Sequence, residues 1–399
     1  MVQMRNYDQN LESLPRQRAW VEINLAALDH NVRQICSVLG PQTELLAVVK
    51  ADAYGHGAVA IAQTALGAGA SWLGVATILE GIELRRAGIQ APILLLGAIH
   101  TPAEIGAVAQ WRIQPTVCTP KQALVFSEAL DTIQRPLAIH LKLDTGMSRL
   151  GSPWQEALEF AQWVQRLPNL EIASVYSHCA TADDPDQTTL WQQKDHFDTA
   201  IDTLQSAGLQ PPRLHLANSA ATLVDPNLHY DMVRVGLLLY GLYPAPHFSD
   251  RIDLKPVLSV KARVTQVKTL PPGTGISYGH RYRTHQKTRI AVVGIGYADG
   301  VPRNLSNQMR VLIRGQQVAQ LGAVTMDQLM IDISNVPGIE PGEVVTLLGE
   351  SQGEQITADN WANQLGTISW EILCGFKHRL PRVAIDNTEA SPTYSLEAH

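Results

Sequence analysis

Residues 44–57 read Glu44-Leu-Leu-Ala-Val-Val-Lys-Ala-Asp-Ala-Tyr-Gly-His-Gly57, an apolar run that enters a lysine and closes on aromatic and glycine turn residues ahead of a helical pattern. An apolar run of strand length is a buried parallel strand. Lys50 then sits at its carboxyl end, where an α/β sheet or barrel presents its active site. A lone lysine at a strand end more often packs its stem and leaves its ammonium in water. A desolvated amine instead has a lowered pKa and can form a Schiff base or take a proton near neutrality. The residues at the later strand ends favour the second reading.

Through about residue 240 the chain alternates short apolar runs with helical periodicity. The strand candidates are 20–24, 45–50, 72–77, 93–99, 114–118, 138–144, 172–178, 214–217 and 232–239; amphipathic stretches between them include 25–39, 58–66, 103–110, 120–130, 153–166 and 187–206. The repeated βα unit with short connections favours a parallel (β/α)8 barrel of the TIM type over an open doubly wound sheet, two folds that pattern alone separates poorly. There is one strand candidate too many for eight, and the first can belong elsewhere. After Tyr243-Pro-Ala-Pro-His the helical periodicity stops and β-rich runs follow, at 257–267, 288–295, 309–313, 317–321, 329–333 and 343–348. Turns such as Arg314-Gly-Gln and Pro337-Gly separate them. One helix, near 357–365, interrupts this part. The expected organisation is an α/β barrel over 20–248, a mostly antiparallel β domain over 249–385, and flexible tails at 1–15 and 386–399.

Composition excludes several partners. The chain has 399 residues, 45% hydrophobic and 17% charged, with a net charge of −6. That length suits two domains, and the negative balance argues against nucleic acid or an anionic membrane surface. Cys36, Cys118, Cys179 and Cys374 are scattered without metal or disulfide spacing. The first residues lack a signal-peptide core and no apolar run is long enough to span a bilayer. A cytoplasmic protein is expected, with no metal.

If the strands are parallel, their carboxyl ends bring together Lys50, Lys142 with Asp144, His178, and Asn218 with Ser219. Each alone reads equally well as a core histidine, a helix cap or a surface cation; together on one face they mark a ligand site. Leu216-Ala-Asn-Ser-Ala-Ala221 opens a strand into a helix with small residues, leaving backbone N–H groups for a phosphate. Arg234-Val-Gly236 adds a guanidinium and a second small-residue approach. A phosphate site, an aldehyde-reactive lysine and a barrel point to pyridoxal 5'-phosphate.

The Lys50 segment, Lys142 to Gly151 (Lys-Leu-Asp-Thr-Gly-Met-Ser-Arg-Leu-Gly) and Asn218-Ser-Ala-Ala closely resemble the alanine racemases. So do Met232-Val-Arg-Val-Gly236, Ile276-Ser-Tyr-Gly279, Gly296-Tyr-Ala-Asp-Gly300, Met326-Asp-Gln328 and Arg379-Leu-Pro-Arg382. The match runs in order from about Trp20 to Val383, and separated motifs in order are far more specific than any single one. The resemblance implies a barrel that binds pyridoxal 5'-phosphate, a β domain joined by the first strand (20–25), and a homodimer whose two sites each use both chains. It implies interconversion of L- and D-alanine, with D-alanine feeding cell-wall peptidoglycan.

The resemblance also implies roles. Lys50 and Tyr278, the latter from the partner subunit, are the two acid/base groups on opposite faces of the reacting carbon. Cofactor contacts fall to Lys50, Tyr54, His178, Asn218, Ser219, Arg234 and the Gly236 backbone. Arg234 matches the arginine facing the pyridine nitrogen; because a guanidinium keeps its protons, the ring nitrogen stays unprotonated. Arg149 and the Met326 backbone match the substrate-carboxylate contacts. Lys142, carbamylated in many members, holds that arginine in place. Asp327 is a supporting residue, and Tyr297, Asp183 and Arg303 match the entry corridor. Three departures stand out. Trp370 occupies a cofactor-contact position usually held by tyrosine, Ala323 replaces a corridor arginine, and Gly294 replaces a common proline. None is Lys50 or Tyr278, so altered access or cofactor affinity is expected rather than lost chemistry.

Two other functions fit parts of the pattern. A racemase of broader specificity needs only a slightly different pocket. A pyridoxal-phosphate carrier would keep the Lys50 barrel without a β domain, so Tyr278 and the residues after 250 speak against it. Gly294-Ile-Gly-Tyr-Ala-Asp-Gly lacks dinucleotide spacing and is followed by Pro302. The cluster of His178, Asp183, Asp184, Asp186 and His196 matches no metal spacing and reads as a loop capping the next helix.

Overall fold

A computed structural model describes residues 18–131 and 136–385, so the tails expected at 1–15 and 386–399 lie outside the described residues. The described chain forms two compact units, one of residues 27–53 and 57–255, the other of residues up to 26, 54–56 and from 256 on.

The first strand, β1 (Ala19–Asn24), lies in the sheet of the second unit. The other unit contains β2 (Glu44–Val48), β3 (Trp72–Val75), β4 (Ile93–Leu95), β5 (Gln114–Val117), β6 (Leu137–Asp144), the short β7 (Ser152–Pro153) beside it, β8 (Leu170–Tyr176), β9 (Leu214–His215) and β10 (Met232–Val235). The path β10-β2-β3-β4-β5-β6-β8-β9 is parallel at every step. Backbone bonds Asp231 N–H to Leu214 O and Arg234 N–H to Ala217 O, both 3.0 Å, link its two ends. Eight parallel strands therefore make a barrel, and β1 is not among them.

The connecting helices follow from local chemistry. Thr77 and Thr101 each accept the N–H of a glutamate three residues on, and Glu80 and Glu104 return the bond, so two capping boxes start the helices Ile78–Arg86 and Pro102–Gln110. The helix Thr188–Ser206 buries Leu190, Phe197, Ala200, Ile201 and Leu204 along one stripe. Each of its large apolar side chains contributes about 1.5 to 3 kcal/mol by leaving water. At the end of this unit, Tyr243 donates to Ile252 O and accepts from Leu254 N–H, which ties down the exit segment.

The second unit is built on β11 (Leu258–Leu270), with β12 (Gly275–Ile276) and β13 (Tyr282–Arg283) as a separate two-stranded pair, then β14 (Thr288–Val293), β15 (Arg310–Ile313), β16 (Gln316–Leu321), β17 (Leu329–Asp332), β18 (Val344–Ser351), β19 (Glu354–Ile356) and β20 (Arg382–Ile385). Because β18 pairs with both β15 and β11, the antiparallel strands β11, β14, β17, β16, β15 and β18 close a ring. One pairing, β1 with β20, is parallel. Arg314 and Gly315, both with positive φ, make the two-residue hairpin turn between β15 and β16 that matches strand twist. Where the periodicity suggests one helix, Ala358–Leu365, a second follows at Ser369–Gly375; seven residues are too few for a clear helical period. Gly294 has a steric reason: a Cβ there would lie 2.8 Å from Arg18 Cγ, and its N–H, which proline lacks, donates to Arg263 O.

A buried carboxamide fastens the first helix of the barrel unit. Asn31, fully buried, donates to Leu239 O and Lys255 O at 3.0 and 2.8 Å and accepts Lys255 N–H at 2.8 Å. Asn31→Ala strands these backbone groups, so unfolding in urea is expected to show a loss of about 2 kcal/mol with an unchanged m-value.

Candidate active site

β2 ends at Val48, two residues before Lys50. Lys50 then opens a single turn, Lys50–Gly55, in which Ala51, Asp52, Ala53 and Tyr54 have φ of 51 to 56° and Gly55 has 83°. This is a left-handed turn. For residues with a Cβ it costs roughly 1 to 2 kcal/mol each, so the surroundings must hold it. They do so with Ala53 N–H on Val49 O, Gly57 N–H on Asp52 O, Ala58 N–H on Asp52 Oδ1 and Ala51 N–H on Glu80 Oε1.

Arg234 projects from β10 and is only 4% exposed. Its guanidinium donates to Ser177 O at 2.7 Å and Leu216 O at 3.0 Å, and lies 2.9 Å from His215 Nδ1 and 3.1 Å from His178 Nδ1. A guanidinium only donates, so both ring nitrogens facing it accept. His215 Nε2 then carries the proton and faces Ser174 Oγ at 2.8 Å; Ser174 in turn faces His140 Nδ1 at 2.6 Å. His140 Nε2 reaches Gln114 Oε1 at 2.9 Å. The bonds run in one direction, and His215 and His140 are both neutral.

Electrostatics agree with this assignment. Burial, with Arg213 adding to it, holds His140 down to about 3. Burial and then Arg234 hold His215 well below the ordinary imidazole range. His178 is held down by burial, then by Arg234, Lys142, Arg149 and Lys50 in turn. Tyr176 stacks on His215 at 4.6 Å, and both Arg234 and Lys142 lie over its ring, at 5.1 and 5.2 Å. Lys142, buried on β6, is lowered to about 8 by burial and then by Arg234.

The segment from Lys142 to Gly151 folds back on itself. Asp144 Oδ1 accepts Gly146 N–H and Ser148 N–H, and Thr145 Oγ1 meets Ser177 Oγ at 2.8 Å. Gly151 has φ of 127°, and a Cβ there would sit 2.7 Å from Asp144 N, so this return needs glycine. Arg149, on the exposed part of the segment, is near enough to act electrostatically on buried Lys142 and His178. Asn218 caps the helix Ser219–Val224 by accepting Ala221 N–H, which removes one of the N–H groups expected to be open for a phosphate. Gly236 N–H donates to Ser219 Oγ at 3.0 Å, bringing these two residues together.

The barrel unit thus carries Lys50, Lys142, Arg149, His178, Asn218, Ser219, Arg234 and Gly236. The β unit carries Tyr54, Tyr278, Tyr297, Met326, Asp327 and Trp370. Tyr278 is 73% exposed and borders a cavity of about 640 Å³ lined also by Ser277, Thr325, Gln328 and Met330. Ser277, with φ of 60°, donates to Ala323 O. Met326 O accepts Ala298 N–H, beside Tyr297. Asp327 pairs with Arg379 at 2.5 Å, and Arg379 also lies near Asp299, the buried partner of Arg18. Burial pushes the Tyr54 phenol up to about 12. Trp370 lies on the helix Ser369–Gly375, half-buried.

Sequence reading missed His140, Ser174, Tyr176 and His215. A signal existed: His140, Lys142 and Asp144 on one strand and Ser174 and Tyr176 on another recur with period two, where a strand buried on both faces should be apolar throughout. Asp184 and Asp186 accept N–H groups of Asp186 and Thr188 at the start of the following helix. Among the described residues no cluster of three or more His, Cys, Asp or Glu could hold a metal ion.

A parallel barrel whose carboxyl-terminal rim gathers a lysine on a strained turn, a buried arginine and a lowered lysine has the architecture of an α/β-barrel enzyme. The alanine racemase N-terminal domain profile matches residues 23–244 and the C-terminal domain profile residues 257–384. The chain is 65% identical over 371 residues to an alanine racemase of Nostoc sp., a match that covers 92% of this chain and 96% of that one. The solved alanine racemase of Clostridium difficile has a TM-score of 0.89 at 36% identity, covering 93% of this chain and 97% of that one. The alanine racemase of Bartonella henselae, solved with covalently bound pyridoxal phosphate, has a TM-score of 0.82 at 29% identity, covering 92% and 99%. The chain belongs to the alanine racemase family and is an isomerase of that family.

The neutral histidines generate a pH dependence. An unfolded imidazole titrates near 6.5, whereas folded His140 does so near 3. Between those values the unfolded chain binds a proton that the folded chain does not. This contribution to stability is complete above about pH 6.5 and is lost as pH falls. The stability advantage of wild type over His140→Gln is therefore expected to shrink by about 1.4 kcal/mol per pH unit between about pH 6 and 4, read from urea titrations at successive pH values.

Proposed function

We propose that the chain binds pyridoxal 5'-phosphate at the barrel rim through Lys50 and interconverts L- and D-alanine in a homodimer, with Tyr278 of a second copy as the other acid/base group. The observation that carries this reading is the cationic rim around His178, where Lys50, Lys142, Arg149 and Arg234 all act on one imidazole. Four cations around a neutral ring suit a phosphorylated cofactor and a substrate carboxylate. When bound, the cofactor supplies the electron sink that makes the α-hydrogen of an amino acid acidic.

The chain's own groups take the remaining parts. Arg234, a pure donor that orients neutral His215 and His178, would face the pyridine nitrogen with a proton that it does not release. Ser219 and the Gly236 backbone, already in contact, would hold the phosphate. His178 would lie against the cofactor ring. Arg149 takes the substrate carboxylate, supported by Lys142, whose lowered pKa of about 8 leaves a share of neutral amine able to react with carbon dioxide. The amine of Lys50 holds or moves the α-proton on one face and the phenol of Tyr278 on the other, which gives racemisation rather than one-sided exchange.

The exposure of Tyr278 at a cavity on the β unit supports its use by a second copy. Among the described residues no helix is long and apolar enough to cross a membrane. A cytoplasmic role supplying D-alanine for peptidoglycan is the biological reading.

Shared sites make a quantitative test. Lys50→Ala and Tyr278→Phe are each expected to abolish nearly all racemisation, followed by chiral chromatography, and Lys50→Ala also to lose covalent cofactor. After the two inactive variants are unfolded together and refolded, half the dimers are mixed, and each has one intact site. About a quarter of wild-type activity should return. No recovery would reject the shared site, and activity on larger amino acids equal to that on alanine would favour the broader racemase.

A further inference from the structure

We propose that Glu80 is a positioning residue for Lys50, acting through the left-handed turn; the inference rests on the reading of Lys50 as the cofactor lysine. By sequence Glu80 is the third residue of a Thr-x-x-Glu capping box, whose local function is to start a helix. One carboxylate oxygen does that work: Oε2 accepts Ala76 N–H at 2.7 Å and Thr77 N–H at 3.0 Å, while Thr77 Oγ1 accepts Glu80 N–H. The other oxygen leaves the helix, and Oε1 accepts Ala51 N–H at 2.8 Å, 29 positions earlier in the chain.

The place of that bond decides its consequence. Ala51 N–H belongs to the peptide group that Lys50 shares with the next residue, so gripping it sets the direction in which the chain leaves Lys50. The grip is stiff because Ala76 and Thr77 directly follow β3, which is paired with β2, the strand that delivers Lys50. One carboxylate thus ties the end of β3 to the first peptide of a turn whose φ values L-residues avoid. A reacting amine displaced by about 1 Å can lose two orders of magnitude in rate, so holding this peptide bears on chemistry as well as folding.

The next βα unit carries an internal control. Glu104 makes the same box with Thr101 and accepts from His100 N–H, Thr101 N–H and Thr101 Oγ1, all within four residues. It caps a helix, and among the described residues these bonds reach no strand end. Comparing Glu80 with Glu104 separates capping from positioning.

The test uses the full chain reconstituted with pyridoxal phosphate, as wild type, Glu80→Gln and Glu104→Gln. A carboxamide keeps one acceptor oxygen and turns an NH2 toward the remaining donors. Both variants are expected to lower the melting temperature to a similar degree. Only Glu80→Gln should speed amide exchange at Ala51 and cofactor release by about tenfold, and lower kcat by about tenfold with KM for alanine within about twofold. If the two variants match in Ala51 exchange, cofactor release and kcat, Glu80 is a helix cap alone and the proposal is overturned. Should wild type take up no pyridoxal phosphate, the cofactor reading falls, whereas Ala51 exchange still decides whether Glu80 holds the turn.

Discussion

One buried guanidinium organises the barrel. Arg234 contributes a backbone N–H to the closing seam between β9 and β10, and its side chain meets four acceptors drawn from Ser177, His178, His215 and Leu216. A buried charge is tolerated only when its donors are satisfied, so the strand ends that supply these acceptors are held in register around it. Because an arginine cannot accept a hydrogen bond, its presence also fixes the tautomers of the histidines beside it. The direction of polarity then passes through Ser174 to His140 and Gln114 across the barrel interior.

That arrangement explains the protonation states at the rim. Positive charge beside a buried imidazole opposes a second proton, so His178 and His215 stay neutral and offer lone pairs. Burial, and then the charge of Arg234, lowers Lys142, which lies over the Tyr176 ring beside Arg234. A rim with several cations and neutral histidines has electrostatic room for anions, which an ordinary apolar barrel mouth lacks. Its geometry is also strained at Lys50, where consecutive residues with a Cβ occupy the left-handed region. Packing and hydrogen bonds from neighbouring elements offset this cost.

The second unit solves a different problem. β11 is long enough to pair with β18 through Arg263 and with β14 from Val264 on, while β1 pairs along Leu258 to Ala262, and the ring it closes leaves fewer open edges to pair with other chains. Its surface keeps Tyr278, Met326 and Tyr297 exposed, all large side chains that a monomer would gain by covering.

Much of this was legible in the order of residues. Apolar runs alternating with amphipathic stretches, each run ending in polar residues, specify parallel strands with a reactive face, and the Lys50, Lys142 and Asn218-Ser219 motifs locate that face. Arg314-Gly-Gln marked a turn, because turn chemistry depends on neighbours along the chain. Sequence alone thus determined the two-part architecture and the family. Tertiary structure decided that His140 and His215 are neutral, and that Glu80 rather than Glu104 reaches the Lys50 turn. Those facts depend on contacts between residues far apart in the chain, and hydrogen-bond direction, burial and backbone strain exist only once the chain has closed on itself.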